Sequence, residues 1–163
     1  MRLDKKGIGS SPLRILGALA ACLLLITLLA DSFATAMLNA DHNEHMYVAA
    51  GALLADGKSL YSDFSYLQMP LLPHLYGAVY RVSGASHLLL KAKILNWIAW
   101  VAAVIALYWL SRIWSGEKLW SFAIVLLLVV NDHFVRTLHE ASNYALPIAA
   151  SLASMAVAAR GLR

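Results

Sequence analysis

The residues best equipped for chemistry lie in one short stretch, Asp41-His42-Asn43-Glu44-His45-Met46-Tyr47. If a helix runs from here, Asp41, Glu44 and His45 stand at i, i+3 and i+4 and share a face. A carboxylate near a helix N-terminus is favoured in its ionised form, which suits Asp41 to the role of general base or hydrogen-bond acceptor. The same spacing also reads as a capping box, with Asp41 as N-cap and Glu44 reaching back, and the two readings are compatible. His42 and His45 with the nearby acids suggest zinc only weakly, because the sequence places no third ligand. A divalent cation held by Asp41, Glu44 and Glu140 is the other metal-based alternative, and no cofactor is firmly expected.

Further along, Tyr61-Ser62-Asp63-Phe64-Ser65-Tyr66-Leu67-Gln68 interleaves aromatic and polar side chains and is then stiffened by Pro70 and Pro73. Tyrosines of this kind serve as anchors at a membrane surface. With Asp63, Ser65 and Gln68 among them, they equally suit a shaped polar cleft. A second polar stretch runs from Asn131 to Asn143 and contains Asp132, His133, Arg136, His139 and Glu140.

The elements around these stretches are apolar. The chain of 163 residues is 61% hydrophobic and 13% charged, against about 25% charged in soluble domains. Thirteen basic and nine acidic side chains could not cover so much apolar surface in water. Disorder is excluded for the same reason. The net charge of +4 comes from Lys and Arg scattered between apolar runs, where they set topology and do not form a nucleic-acid surface. A single cysteine, Cys22, leaves no intrachain disulfide or Cys-based metal site.

The expected fold is an all-α integral membrane module with about four transmembrane helices, at 13–38, 89–111, 118–131 and 144–160. The first is read as uncleaved, although Ala34-Thr35-Ala36 would also serve as a cleavage site after a signal peptide. Residues 39–88 form a first external loop with amphipathic juxtamembrane helices, and 132–143 a second. Within the first loop, the periodicity predicts a helix over 43–56 with Met46, Tyr47, Ala50, Leu53 and Leu54 as its apolar face. Residues 70–84 would rise only about 22 Å as a helix against a bilayer core of about 30 Å, so they are read as interfacial. With a cytoplasmic N-terminus, eight Lys or Arg fall inside and five outside. Counting 70–84 as a span leaves the same ratio. The four-span arrangement places all six histidines, with Asp41, Glu44, Asp63 and Glu140, on the external face. This describes a multi-pass protein of the cytoplasmic (inner) membrane with its chemistry on the external, periplasmic side.

The succession Asp41-x-x-Glu44-x-x-Tyr47, Gly57, Leu60-Tyr61-x-Asp63-Phe64 and Pro70-Leu71-Leu72-Pro73 resembles the N-terminal part of the GT-C superfamily. These are polytopic membrane glycosyltransferases that use polyprenyl-phosphate sugars, including protein mannosyltransferase-like and lipopolysaccharide sugar transferase-like enzymes. The resemblance spans roughly residues 35–163. It implies inverting transfer of a hexose or pentose from a polyprenyl-phosphate-linked donor to a lipid, glycan or protein hydroxyl at the membrane. It makes Asp41 the catalytic carboxylate, Glu44 the second acid and Glu140 an acid of the second external loop. It puts His45, Tyr47, Tyr61, Asp63 and Gln68 along the substrate cleft, and Arg136 on the donor phosphate. Members of the superfamily are several times longer, so the chain is expected to correspond to their N-terminal portion. The alternative is a non-catalytic membrane subunit or assembly protein that docks through its external helices.

Overall fold

The computed structural model describes residues 12–38, 43–131, 135 and 140–161. Asp41 and Arg136 therefore lie outside the described residues, as do His42, Asp132, His133 and His139. Every regular element among the described residues is a helix: α1 (Pro12–Leu38), α2 (Glu44–Ala55), α3 (Leu71–Ser83), α4 (Leu88–Ser115), α5 (Lys118–Val129) and α6 (Ala145–Gly161).

Local chemistry explains the boundaries. Pro12 opens α1, where its missing N–H costs nothing. Gly57 ends α2 at φ +86. Its N–H bonds Leu54 O and that of Lys58 bonds Leu53 O, the paired pattern that closes a helix through a left-handed residue. Gly116, at φ +70, turns the chain from α4 into α5. The hydroxyls of Ser115 and Ser121 meet across that turn at 3.1 Å.

Two helices, α1 and α4, are long and apolar enough to cross a membrane; α5 and α6 are apolar but shorter. At 28 residues, α4 extends about 42 Å and touches each of the other five helices. Contacts fix the direction of two partners: α1 runs antiparallel to α4, and α6 runs parallel to it. Near the start of α4, Lys93 reaches Ala36 O and Trp97 meets Ser32 and Phe33, all near the end of α1. Also near that start, Asn96 bonds Glu140 O just ahead of α6, while Arg160 at the far end of α6 sits 4.9 Å over the Trp109 ring. Alanines at buried positions, Ala99 and Ala103 on α4 and Ala145 and Ala149 on α6, let helix backbones approach closely.

α2 and α3 form a second layer beside the start of α4. They cross where both lack side chains: a Cβ on Gly51 would lie 2.6 Å from Tyr76 Cβ, and one on Gly77 would lie 3.0 Å from Leu54 Cβ. This crossing sets which face of α2 is buried. The buried positions are Glu44, Tyr47, Ala50, Gly51 and Leu54, whereas Met46 and Leu53 point outward. The expected apolar face is therefore rotated toward the side that carries Glu44 and Gly51. Tyr47, Tyr66, Leu72, Tyr76 and Tyr80 fill the space between this layer and Ala92 of α4.

Candidate functional site

Glu44 begins α2, with Asn43 at the N-cap position making no side-chain capping bond. Its side chain is 1% exposed. Oε2 lies 3.3 Å from Lys93 Nζ, and Oε1 accepts the Ala141 N–H at 2.9 Å. Lys93, also buried, donates to Ala36 O at 2.9 Å. One ion pair thus joins four pieces of chain: the end of α1, the first turn of α2, the start of α4 and the segment ahead of α6. Isolated charges at such depth would be very costly, and here both are paired and hydrogen-bonded.

Asn96 lies one turn further along α4 and is fully buried. Its Nδ2 donates to Tyr76 Oη at 2.9 Å and to Glu140 O at 2.7 Å. Asn143 Nδ2 reaches Tyr47 Oη at 3.4 Å. Burial pushes the Tyr47 hydroxyl above its usual pKa, with smaller contributions from the charges of Tyr144 and Glu140. Burial likewise raises Tyr66 and Tyr76, and it pushes Tyr80 up to about 12. These phenols are therefore neutral at any physiological pH.

The sequence-derived residues separate into two places. Glu44, Tyr47 and Glu140 converge with Lys93 and Asn96 at the start of α4. Tyr61, Asp63 and Gln68 belong to the loop between α2 and α3. There Tyr61 Oη donates to Gln68 O at 3.2 Å and Asp63 Oδ2 accepts the Ser59 N–H at 2.7 Å. His45 follows Glu44 directly but is exposed, because successive helical residues diverge by about 100°. Among the described residues no three His, Cys, Asp or Glu side chains gather in a way that could hold a metal ion.

Sequence reasoning missed Lys93 and Asn96, which it counted only as a charge beside a span and as part of an apolar run. A signal was present. Ionisable and amide side chains inside a run such as Leu88–Leu110 are costly, and a partner should have been sought for each.

Chemically, Glu44 is an anchor. It is sealed from solvent and neutralised by Lys93, which suits it to holding the first turn of α2 in place and not to taking a proton from a substrate. No protein-family model, curated protein or solved structure matches the chain.

Proposed function

We propose that this chain is a membrane-embedded module of a glycosyltransferase that moves a sugar from a polyprenyl phosphate to an acceptor hydroxyl at the external membrane surface. In this reading α1, α4, α5 and α6 cross the bilayer, while α2 and α3 lie at its outer interface. Support for the membrane comes from large apolar side chains left bare on three helices. Leu23 of α1, Leu127 of α5 and Val157 of α6 are 67%, 77% and 72% exposed, a pattern water does not tolerate over a contiguous surface.

The observation that carries the functional reading is the Glu44–Lys93 ion pair. It ties the turn just after Asp41 to the end of the bundle where α3 and the second polar stretch also gather. A lipid-linked donor diffuses within the bilayer, so a base that serves it must be held at the interface. Asp41 is assigned that role, accepting the acceptor's proton as its oxygen attacks the anomeric carbon and the polyprenyl phosphate leaves. Glu44 positions the helix behind it. The acceptor is a lipid, glycan or protein hydroxyl, and Glu140 and Arg136 of the second stretch are assigned to the acid and donor-phosphate roles.

The test is Asp41→Asn in the native gene product. Membrane vesicles are supplied with a polyprenyl-phosphate sugar, and transfer to membrane acceptors is measured. Loss of about 10²–10⁴-fold is expected for removal of a general base. Undiminished transfer would favour the second reading, a non-catalytic subunit whose external helices dock a partner. Leu67 and Met69, left bare on the loop between α2 and α3, are the feature that favours it.

A further inference from the structure

A separate cleft opens at the other end of α2, about 16 Å along the helix axis from Glu44. It measures about 550 Å³ and is walled by the close of α2, the following loop and one face of α3. Lys58, His74 and Arg81 line it, with Tyr61, Pro70 and Gly77. Among the described residues, no carboxylate lines it. The nearby Asp63 turns its carboxylate to the Ser59 N–H.

Three features suit this cleft to an anion. Arg81 donates through Nε and Nη2 to the carbonyls of Ala55 and Leu54. That cancels the negative end of α2, which would otherwise repel an anion, and it fixes the guanidinium with three of its five N–H donors to spare. Lys58 Nζ and the His74 ring are exposed and have no ion-pair or hydrogen-bond partner among the described residues. Tyr61 holds a left-handed backbone, φ +68, which side chains rarely adopt. Its N–H bonds Phe64 O and its hydroxyl bonds Gln68 O, so the loop keeps its ring at the cleft wall. Strain of this kind at a cavity wall is typical of binding sites.

Beside the cationic pocket runs an apolar lip. Leu67, Met69 and Leu71 flank Pro70 and are 93%, 76% and 65% exposed. We propose that the cleft binds a phosphate group presented at the outer surface, with the chain of a phospholipid against the lip and its phosphate between Lys58, His74 and Arg81. The site is remote from the Glu44 cluster, and it is read by binding alone, independently of sugar transfer.

The test uses the full chain purified in detergent. It is titrated with short-chain phosphatidic acid, with phosphatidylcholine of the same chain length and with inorganic phosphate, and thermal unfolding reports binding. Phosphatidic acid is expected to raise the melting temperature and phosphatidylcholine, whose phosphate is shielded by choline, to leave it unchanged. Lys58→Ala/His74→Ala should weaken phosphatidic acid at least about tenfold, as expected for loss of charge-assisted bonds. Ala78→Glu, at an exposed position lining the cleft, should abolish the shift by repulsion. Protection by inorganic phosphate at the same concentrations would identify the free ion as the source; its absence would identify the lipid headgroup. Equal shifts from the two lipids, no shift from either phosphatidic acid or phosphate, or unweakened binding by the double variant would overturn the proposal. The double variant decides the matter if Ala78→Glu does not fold.

Discussion

At the scale of single residues, Glu44 and Lys93 are worth more as a pair than apart. Glu44→Gln or Lys93→Met alone leaves a buried charge without its counterion and should cost about 3–5 kcal/mol. Glu44→Gln/Lys93→Met removes both charges and should recover much of that loss. Denaturant unfolding of the detergent-solubilised chain measures the cycle, and an additive double variant would show that the two charges act independently. The tyrosines give a second handle. Each of Tyr47, Tyr66, Tyr76 and Tyr80 has a pKa raised by burial. The folded chain therefore keeps protons that the unfolded chain has released, so unfolding releases protons and stability falls as pH rises. Stability from this source is intact below about pH 10, the ordinary tyrosine value, and should decline as pH climbs through about 12, where Tyr80 titrates. Tyrosinate absorbance that rises together with loss of helicity would bear this out. Titration at the ordinary value in the folded chain would not.

At the scale of elements, the α2–α3 crossing depends on glycine for space. Alanine is ordinarily better than glycine inside a helix by about 1 kcal/mol. At Gly51, however, the added methyl would meet Tyr76 Cβ, which is rooted in the backbone and cannot swing aside. Overpacking should win, so Gly51→Ala is expected to destabilise by about 1–3 kcal/mol. Gly17→Ala in α1 is the control, because nothing lies within 4 Å of its added methyl. It should be neutral or stabilising, and equal losses at both positions would contradict the close crossing. The same crossing accounts for the rotation of α2 relative to its simple hydrophobic pattern: Leu53 is apolar yet turned away, while the glycine is turned in.

At the scale of the whole molecule, α1 runs antiparallel to α4 and α6 parallel to it, which gives the helix bundle two unlike ends. One carries α2, α3, Glu44, Lys93 and the cationic cleft; the other carries Arg112, Trp114, Lys118 and Arg160. If the first faces outward, a membrane-impermeant thiol reagent applied to intact cells should label Lys58→Cys and spare Glu117→Cys, in a Cys22→Ala background. The reverse pattern would invert the proposed topology. The mass of the native product, read from a tag at the chromosomal N-terminus, sets how Asp41→Asn should be assayed. A product much heavier than 17.8 kDa calls for transfer assays on that longer protein, and one at that mass for assays with its membrane partners.

Composition and periodicity alone determined that the chain is helical, where its helices lie to within a few residues, and that its polar groups cluster in two stretches. Those properties follow from local rules: apolar runs of sufficient length, and glycines such as Gly57, Gly84 and Gly116 that end them. The sequence also marked Glu44 and Tyr47, since an acid three residues before a tyrosine at the head of an apolar helix is visible in one dimension. Only the tertiary structure decided that Glu44 is an anchor. Its partners, Lys93 and the Ala141 N–H, lie far away along the chain, and burial of an ion pair depends on what closes over it. The cationic cleft escaped sequence reasoning for the same reason. Lys58, His74 and Arg81 have no common spacing, and they become one surface only because two glycines let α2 and α3 cross in contact.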